Sequence, residues 1–393
     1  MASPVIISAV RTPSGRLLGS LASLSATRLG AIVVGAAVER SGLGPDEVDE
    51  VIVGQVVQAG SGQNPARQAT LGAGLPATVP AFTVNKVCGS SLKAVMLAAQ
   101  AVITGDASRV VAGGQESMSN GPYLLDQARY GYRLGHSRLL DATVHDGLWC
   151  AFGDYHIGCT GEIIAKRYGV SRQQQDEWAL RSHELAEAAR VAGEFQDEIV
   201  PVEVPQRHDK PLLFDADETI RVETSLETLG KLSPVFQEGG SVTAGNAPGV
   251  NDGASAVVVI AEEEARERNL PVLARIVAQA STGIEPELVM MAPVAAVRKV
   301  LGRAHWRSED VDLYELNEAF AVQSVALVRE LGLDAERVNI RGGAIALGHP
   351  IGASGGRILT TLLHAMRDRR ARRGIAAMCL GGGNAVAMAV ELP

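Results

Sequence analysis

A cysteine at the start of an apolar helix is the residue that most clearly suggests chemistry. Cys88 lies in VCGSSLKAVMLAAQAV, just before a Gly-Ser-Ser turn. The residues after it form an apolar stripe at helical spacing, made by Leu92, Val95, Met96 and Ala99. Free N–H groups and the dipole at a helix N-terminus favour the thiolate, which is the nucleophilic form. We therefore expect Cys88 to be a nucleophile, and the alternative is a small hydrophobic residue without a chemical role.

Three further residues could take part in chemistry with such a thiol. His349, in GHPIGASGG, could accept the thiol proton as a base. Cys379 ends an apolar strand before three glycines, which permit nests of N–H groups that hold an oxyanion. Asn317, in LNEAFA, lies at a strand-to-helix junction and could reach the same cleft. Each also has a structural explanation: a turn histidine, a core thiol and a helix N-cap.

An internal repeat predicts how these residues meet. Three segments of the first half are matched in order in the second: 4–10 by 271–277, 45–55 by 308–318, and 88–117 by 348–385. In each half a turn of small residues starts a long helix, and an apolar strand then ends in glycines. We predict an α/β fold of two pseudo-symmetric halves with parallel sheets. In the matched register His349 falls within a few residues of the Cys88 position, so packing of the halves would bring the two turns together.

A different kind of sequence separates the two halves. Residues 119–249 hold most of the tyrosine, tryptophan and histidine, and a helical pattern there begins after Ser171 as an N-cap. We predict that this stretch is an inserted loop domain, because long excursions from a compact scaffold are often functional. The N-terminal half would comprise residues 1–118 and 250–270, and the C-terminal half residues 271–393.

Composition and charge exclude several classes of protein. The chain has 393 residues, 43 glycines and only 4% aromatic residues, which favours helices packed tightly on buried strands. The net charge of −8 argues against a nucleic-acid-binding protein. Four cysteines without a CxxC pair indicate a reducing compartment, and the N-terminus has no basic leader. We expect a cytoplasmic protein in which no apolar stretch approaches membrane-spanning length.

A hydrolase is the enzyme class that one short motif suggests instead. GASGG (352–356) matches the GxSxG pattern around Ser354. That class requires an acid and then a histidine downstream, and only His364, in the middle of a predicted helix, follows. We therefore do not favour a hydrolase. The P-loop, HExxH and GxGxxG motifs are also missing from the sequence.

Taken together, four segments resemble the active-site segments of the thiolase family. They are NKVCGSSLKAV (85–95), NEAFA (317–321), GGAIALGHPIGASGGR (342–357) and CLGGGNAVA (379–387). The resemblance covers essentially the whole chain and is greatest for the biosynthetic members that form acetoacetyl-CoA. It implies a thiolase-like fold and an acyltransferase that uses coenzyme A thioesters, without a metal or a bound cofactor.

The resemblance also implies a role for each candidate catalytic residue. Cys88 would attack an acyl-CoA thioester and hold the acyl group, and His349 would take its proton. Cys379 would remove the α-proton of a second acetyl-CoA. One oxyanion hole would come from His349 with a water held by Asn317, and the other from the N–H groups of Cys88 and Gly381.

By position, the same resemblance places a coenzyme A path along the insertion. Its residues would be Leu148, His156, Arg221, Phe236, Ala244 and Phe320. Arg221 would face the 3′-phosphate of the nucleotide. The family also forms dimers and tetramers, and ARYGYRLGHSR (128–138) lies where a tetramer-forming loop is expected, so we expect a homotetramer.

Some positions depart from the family pattern and leave the substrate open. Pro248 replaces a serine near pantetheine, Ile157 replaces a methionine, Arg341 replaces an asparagine, and 288–294 replaces a glycine-rich stretch. We expect condensation of two acetyl-CoA molecules, or thiolysis in reverse. The alternatives are a degradative thiolase of broader chain length and, with less support, a non-catalytic carrier of acyl-CoA or lipid.

Overall fold

One ten-stranded sheet runs through the centre of the molecule. The computed structural model describes residues 2–206 and 210–393. Its strands are β1 (Pro4–Arg11), β2 (Gly15–Arg16), β3 (Glu50–Gly54), β4 (Ala81–Val84), β5 (Arg109–Ser117), β6 (Tyr123–Leu124), β7 (Leu140–Asp141), β8 (Trp149–Cys150), β9 (Tyr155–His156), β10 (Val202–Val204), β11 (Leu212–Phe214), β12 (Asn251–Ala261), β13 (Ala274–Gly283), β14 (Leu313–Leu316), β15 (Arg373–Leu380) and β16 (Asn384–Glu391). The α-helices are α1 (Ala26–Ser41), α2 (Pro65–Gly72), α3 (Ser90–Thr104), α4 (Cys159–Tyr168), α5 (Arg172–Val191), α6 (Leu226–Gly230), α7 (Glu262–Glu267), α8 (Ala292–Ala304), α9 (Ala321–Leu331), α10 (Ala344–Leu347) and α11 (Ser354–Arg369).

The strand order repeats across the centre of the sheet. The order is β14-β15-β16-β13-β1-β12-β5-β3-β4, with β2 added beside β12. Strands β1, β12, β5 and β3 have the same succession and directions as β13, β16, β15 and β14. The halves meet where β1 pairs with β13 over two residue pairs, Val5 with Arg275 and Ile6 with Ala274. Two pseudo-symmetric α/β halves are thereby confirmed.

The prediction of parallel sheets was wrong. Among the described pairings of the large sheet, only β3 with β4, β3 with β5, and β14 with β15 are parallel. In each of these pairs one or more helices lie between the two strands in the chain, as a parallel crossover requires. Strand β16 instead follows β15 through a glycine turn and runs back beside it, and β12 returns from the insertion antiparallel to β5. The sequence repeat preserved the order of the elements but carried no information on these directions.

Helices α3 and α11 pack against each other and against strands of both halves. At Gly355 the two backbones are so close that a Cβ atom there would lie 2.6 Å from the Leu92 Cβ atom. The Gly356 N–H donates a hydrogen bond of 2.8 Å to the Ser91 hydroxyl oxygen. The predicted stripe on α3 is buried in this layer. The starts of the two helices, just after Cys88 and His349, are therefore fixed relative to each other.

Between β5 and β12 the chain forms α4 to α6 and several short strands. Ser171 caps α5 as predicted, because its hydroxyl accepts from the Gln174 N–H at 3.2 Å. Helix α5 packs on α9 and α10 of the C-terminal half. The buried Glu318 carboxylate joins these elements by accepting from the Trp178 indole at 2.8 Å and the Ser182 hydroxyl at 2.7 Å. The exact domain bounds stay a prediction.

One segment is long and apolar enough to cross a membrane, which corrects the expectation from the sequence. It is Val87–Thr104, which contains α3. More than half of it is buried inside the fold, and Leu92, Ala94 and Val95 are completely buried in the main core. Helices in protein cores meet the same criteria of length and composition. Its packing between the sheet and α11 identifies it as a core helix of this fold.

Replacing Gly355 by alanine tests the contact between α3 and α11. The new methyl group would also lie 2.7 Å from the Leu92 backbone nitrogen, which cannot turn aside like a flexible side chain. We expect the free energy of unfolding to fall by about 1–3 kcal/mol, the usual cost of overpacking. Unfolding in guanidinium chloride, followed by circular dichroism, measures this change.

Gly302→Ala in α8 is the matched control, because nothing lies within 4 Å of a Cβ atom there. Alanine in an open helical position should be neutral or stabilise by about 0.5–1 kcal/mol. Equal free energies of unfolding for the two variants would contradict the close helix contact.

Candidate functional site

A cavity of about 580 Å³ collects most of the predicted residues from distant parts of the chain. Its wall includes Cys88, His349, Cys379 and Gly381. They come from the turn before α3, the turn before α11, the end of β15 and the glycine turn after it. The wall is mainly apolar, and the cavity lies where the two halves and the insertion meet. Such a cavity suits a ligand held by its apolar parts and oriented by a few polar groups.

Cys88 lies on a sharply bent turn at the mouth of α3. Val87, directly before it, has a φ of 47°, a left-handed conformation that is rare for a β-branched residue and typical of functional sites. Burial raises the pKa of the Cys88 thiol to about 11. The N–H groups of Gly381 and of Cys88 itself oppose this increase, and the Glu116 charge adds to it. The expected thiolate is therefore wrong for the resting site, because desolvation outweighs the N–H groups.

His349 is oriented as a neutral base. Its Nδ1 atom lies 2.6 Å from the Ser354 hydroxyl, which donates to the Pro350 carbonyl oxygen at 2.8 Å. The Ser354 hydroxyl has one proton, which it gives to the Pro350 carbonyl oxygen, so toward His349 it accepts a hydrogen bond from Nδ1–H. The lone pair of the imidazole is therefore on Nε2. Burial, aided by the Arg357 charge, lowers the pKa of His349 to about 3. The His349 backbone N–H donates to the Asn251 side-chain oxygen at 2.8 Å, which fixes the turn.

Cys379 is the more deeply buried of the two thiols in the cavity wall. It occupies the next-to-last position of β15, where it pairs with Ala385 of β16. Burial, and then the nearby Cys88, raise the pKa of Cys379 to about 12. The turn that follows needs its glycines, because Gly382 and Gly383 have φ values of 81° and 84°. Both thiols are thus protonated in the resting site.

Asn317 lies outside the cavity wall, although its neighbours Ala319 and Phe320 belong to it. The side chain is 1% exposed, and neither its amide oxygen nor its amide nitrogen has a hydrogen-bond partner in the described residues. Buried amides in native proteins nearly always have one. The direct approach to the cleft is therefore not observed, and an approach through a water stays a prediction.

All six residues predicted for the coenzyme A path line the cavity: Leu148, His156, Arg221, Phe236, Ala244 and Phe320. Three of them form a row of rings. The His156 and Phe236 rings stack with centroids 4.7 Å apart, and Phe236 meets Phe320 edge-on at 6.0 Å. Burial lowers the pKa of His156, which favours the uncharged form of this ring. The row gives the cavity a rigid apolar side.

Arg221 is the exposed cation of this set. Its guanidinium has one long hydrogen bond, of 3.5 Å, to the Ala244 carbonyl oxygen. Its backbone N–H donates to the His183 Nδ1 atom at 3.1 Å, which fixes the segment on α5. The guanidinium is therefore positioned by its backbone and remains accessible to an anion in solvent.

The departures from the family pattern differ in where they lie. Ile157, Pro248 and Val289 line the cavity. Arg341 does not: it is completely buried, and it pairs with Glu194 at 2.8 Å and with Asp368. It therefore connects the end of the α5 segment to α11, and it has a structural role away from the cavity.

Glu116 is a functional candidate that sequence reasoning missed. Its buried carboxylate accepts from the N–H groups of Val56 at 3.0 Å, Val57 at 3.1 Å and Gly352 at 2.9 Å. Burial raises its pKa to about 7, and the three N–H groups oppose this increase. It thus joins the segment after β3 to the turn that carries His349. An acidic residue inside the apolar strand VVAGGQES was the available indication.

Ser354 and Asn251 were also missed as partners of His349. Ser354 was considered only as a hydrolase nucleophile, although its position five residues after His349 places it on the same turn. Asn251 is the first residue of β12, in the stretch TAGNAPGVNDGASA. Neither pairing follows from residue type alone, because each depends on how the turn before α11 folds back on β12.

Comparison with known proteins gives matches over the whole chain. Two family models match, the thiolase N-terminal domain at residues 4–263 and the thiolase C-terminal domain at residues 270–392. The acetyl-CoA acetyltransferase of Cupriavidus necator is 54% identical and that of Pseudomonas aeruginosa 55%, covering 100% and 99% of both chains. A crystal structure of the Bacillus anthracis acetyl-CoA acetyltransferase superimposes with a TM-score of 0.98 at 43% identity, covering 100% of this chain and 99% of that one.

The raised pKa of Cys88 predicts how its reactivity depends on pH. Alkylation by iodoacetamide requires the thiolate, and a pKa of about 11 keeps the thiolate fraction small at neutral pH. Its rate should therefore rise about tenfold per pH unit up to about pH 10. Quantitative mass spectrometry of the Cys88 peptide measures the rate. In the denatured chain, as control, the rate should level off above about pH 9. A plateau near neutral pH in the folded protein would show a resting thiolate.

Ser354→Ala tests the orientation of His349. Without the hydroxyl, Nδ1–H has no acceptor, and the ring loses about 1 kcal/mol of preference for the tautomer with a free Nε2 atom. We expect acyl transfer to Cys88 to slow about fivefold, with ¹⁵N spectra of the imidazole showing mixed tautomers. Ser308→Ala, at the distant Tyr314 contact, is the control. An unchanged tautomer in the Ser354 variant would remove the hydroxyl from the mechanism.

Proposed function

The chain belongs to the thiolase family, and on this premise we propose that it is an acetyl-CoA acetyltransferase. It joins two acetyl-CoA molecules to acetoacetyl-CoA and free coenzyme A, or carries out thiolysis in the reverse direction. The observation that carries this proposal is the meeting of Cys88, His349 and Cys379 in one apolar cavity that also contains the residues expected along the coenzyme A path.

In the acylation half, the Cys88 sulfur attacks the thioester carbonyl carbon. The His349 Nε2 lone pair takes the Cys88 proton and then gives it to the departing coenzyme A sulfur. With pKa values of about 11 and about 3, the thiol and imidazole do not exchange this proton at rest. Proton transfer is therefore coupled to attack on the substrate. The N–H groups of Cys88 and Gly381, which already reach the sulfur, are placed to hold the carbonyl oxyanion.

In the condensation half, Cys379 first releases its proton to solvent, and the resulting thiolate removes an α-proton from the second acetyl-CoA. The resulting carbanion attacks the acyl carbon on Cys88, so that the C–C bond forms and the C–S bond to Cys88 breaks. Cys88 leaves as a thiolate and takes a proton from solvent, while Cys379 keeps the α-proton, so both thiols are protonated again as in the resting site. Asn317, through a water, is proposed to stabilise the enolate oxygen, and His349 does so when its Nε2 atom carries a proton. Two thiols and an imidazole perform these steps, so the reaction needs no metal or bound cofactor.

Coenzyme A is proposed to enter along the row of rings formed by His156, Phe236 and Phe320. Leu148 and Ala244 provide apolar contacts, and Arg221 at the exposed mouth faces the phosphate end. A cation at the rim, joined to an apolar channel, matches a ligand with an anionic nucleotide and an uncharged arm.

A homotetramer in the cytoplasm is proposed for the assembled enzyme. Support for assembly comes from a group of exposed apolar residues between β6 and β7, formed by Leu125, Tyr130, Leu134 and Leu139. Exposed apolar groups of this kind commonly mark protein interfaces. Support for a reducing compartment comes from the four cysteines, all of which are free.

A degradative thiolase of broader chain length is the second candidate. It is favoured by the departures Ile157, Pro248 and Val289, which line the cavity and so face a bound acyl-CoA. The two candidates share the mechanism and differ only in the acyl groups that the cavity accepts.

The ratio of kcat/KM values for thiolysis of acetoacetyl-CoA and of a long-chain 3-ketoacyl-CoA tests this choice. We expect at least about a tenfold preference for acetoacetyl-CoA, equal to about 1.4 kcal/mol. Comparable or better use of the long chain would favour the degradative enzyme.

Cys88→Ala should lose acylation and all thiolysis while remaining folded, whereas Cys159→Ala, at a cysteine outside the cavity wall, should retain activity. Acylation at another residue would refute the nucleophile.

A further inference from the structure

A buried amide on the first turn of α9 lies beside the site without a role in the steps above. Gln323 is completely buried. Its Oε1 atom accepts from the Ala319 backbone N–H at 3.1 Å. This bond fixes which end of the amide is the oxygen, so the NH₂ group occupies the other end. That Nε2 atom has no hydrogen-bond partner in the described residues. A fixed, buried donor without an acceptor is unusual in a native protein.

The Gln323 amide lies beside the end of β15 that carries Cys379. Ala319, to which its Oε1 atom is bound, lines the same cavity as Cys379. The Asn317 backbone N–H donates to the Ala377 carbonyl oxygen at 3.0 Å, two residues before Cys379. Of the groups that affect the Cys379 thiol, the Gln323 side chain is the one outside Cys379 that lowers its pKa, against the large increase caused by burial. Cys88, from the turn before α3, and His349, from the turn before α11, line the same cavity as Cys379. The other titratable groups in its wall are Cys150, His145, His156, Asp146 and Arg221. Cys88 opposes ionisation of Cys379, and His349 is uncharged at rest. The amide on α9 is thus a neutral, unpaired donor beside the strand end that carries Cys379, a thiol that must become an anion.

We propose that Gln323 is a positioning residue that donates from Nε2 to the Cys379 sulfur when this thiol is ionised. The proposal rests on the function proposed above, in which ionised Cys379 takes the α-proton. Gln323 transfers no proton itself. Its amide stabilises the negative sulfur, and the bond between Oε1 and the Ala319 N–H prevents the amide from turning away. In a free site such bonds are often long, and they shorten when charge develops.

This role predicts that the two half-reactions respond differently to loss of the amide. Acylation of Cys88 by acetyl-CoA does not involve the Cys379 thiolate, whereas condensation starts from this thiolate and thiolysis generates it. In Gln323→Met the donor is removed and the volume is nearly kept. We expect condensation to slow about tenfold to a hundredfold. The rise of its rate with pH, which follows ionisation of Cys379, should move to higher pH by about one unit or more. Single-turnover acylation by acetyl-CoA should stay within about twofold.

Three measurements separate this role from a merely structural one. Mass spectrometry follows acyl-Cys88 formation, a coupled assay gives the condensation rate against pH, and uptake of deuterium into acetyl-CoA methyl groups reports proton removal by Cys379. The matched control is Gln175→Met, which removes another completely buried glutamine, on α5 and outside the cavity. Equal slowing of acylation and condensation, or an unmoved pH limb, would overturn the proposal. Gln323→Asn, which withdraws the donor by one methylene, should give the same pattern if the methionine variant does not fold.

A fourth measurement does not depend on the proposed reaction. In a Cys88→Ser background, alkylation of Cys379 by iodoacetamide is followed against pH with and without Gln323→Met. If Gln323 stabilises the Cys379 thiolate, the pH dependence of the alkylation rate should move upward by about one pH unit in the variant. If the unaltered chain forms no acyl-Cys88 from acetyl-CoA, the proposed function fails, while this shift still decides whether Gln323 stabilises the Cys379 thiolate. If the pH dependence does not move, the proposed interaction between Gln323 and the Cys379 thiolate is overturned.

Discussion

The close contact between the starts of α3 and α11 determines the geometry of the site. Gly355 lets the two backbones approach, and the hydrogen bond from the Gly356 N–H to Ser91 fixes their register. Cys88 and His349 lie on the turns that lead into these helices, so their relative positions follow from helix packing and not from loop flexibility. Glu116 adds a second connection, because its carboxylate binds the turn before α11 to the segment after β3. Rigid elements position reactive groups more accurately than free loops do.

Burial gives the site an uncharged resting state. Desolvation raises the pKa values of Cys88 and Cys379 and lowers that of His349, so thiols and imidazole are all neutral near pH 7. A preformed thiolate–imidazolium pair would need to be stabilised in an apolar wall, where isolated charges are costly. Oriented N–H groups favour the charged state only as it develops on the reacting atoms. The Cys88 proton is therefore transferred only when a thioester carbonyl is present to accept the electron pair of the sulfur.

Sequence reasoning identified the residues of this site, but it predicted their charge states and the strand directions around them less well. The repeat predicted two halves and brought Cys88 near His349, because helix starts and strand ends leave a periodic trace in the sequence. The parallel strand directions inferred from it were wrong for most pairs, since a hairpin and a crossover can join similar apolar strands. The neutral state of Cys88 was missed because the helix start is visible in the sequence, whereas the surrounding desolvation depends on segments hundreds of residues away. The same holds for Arg341, whose partners Glu194 and Asp368 lie on other elements.

The two-fold repeat of the sheet has a consequence for how such a site can arise. A symmetric dimer of identical halves carries the same side chain on both of its equivalent turns. In such a dimer every substitution appears on both equivalent turns. A site with a thiol on one of these turns and an imidazole on the other therefore cannot exist there. Joining the halves in one chain, which runs from α7 into β13, removes this restriction. Each half can then vary separately, and the asymmetry that acid–base chemistry requires becomes heritable within one gene.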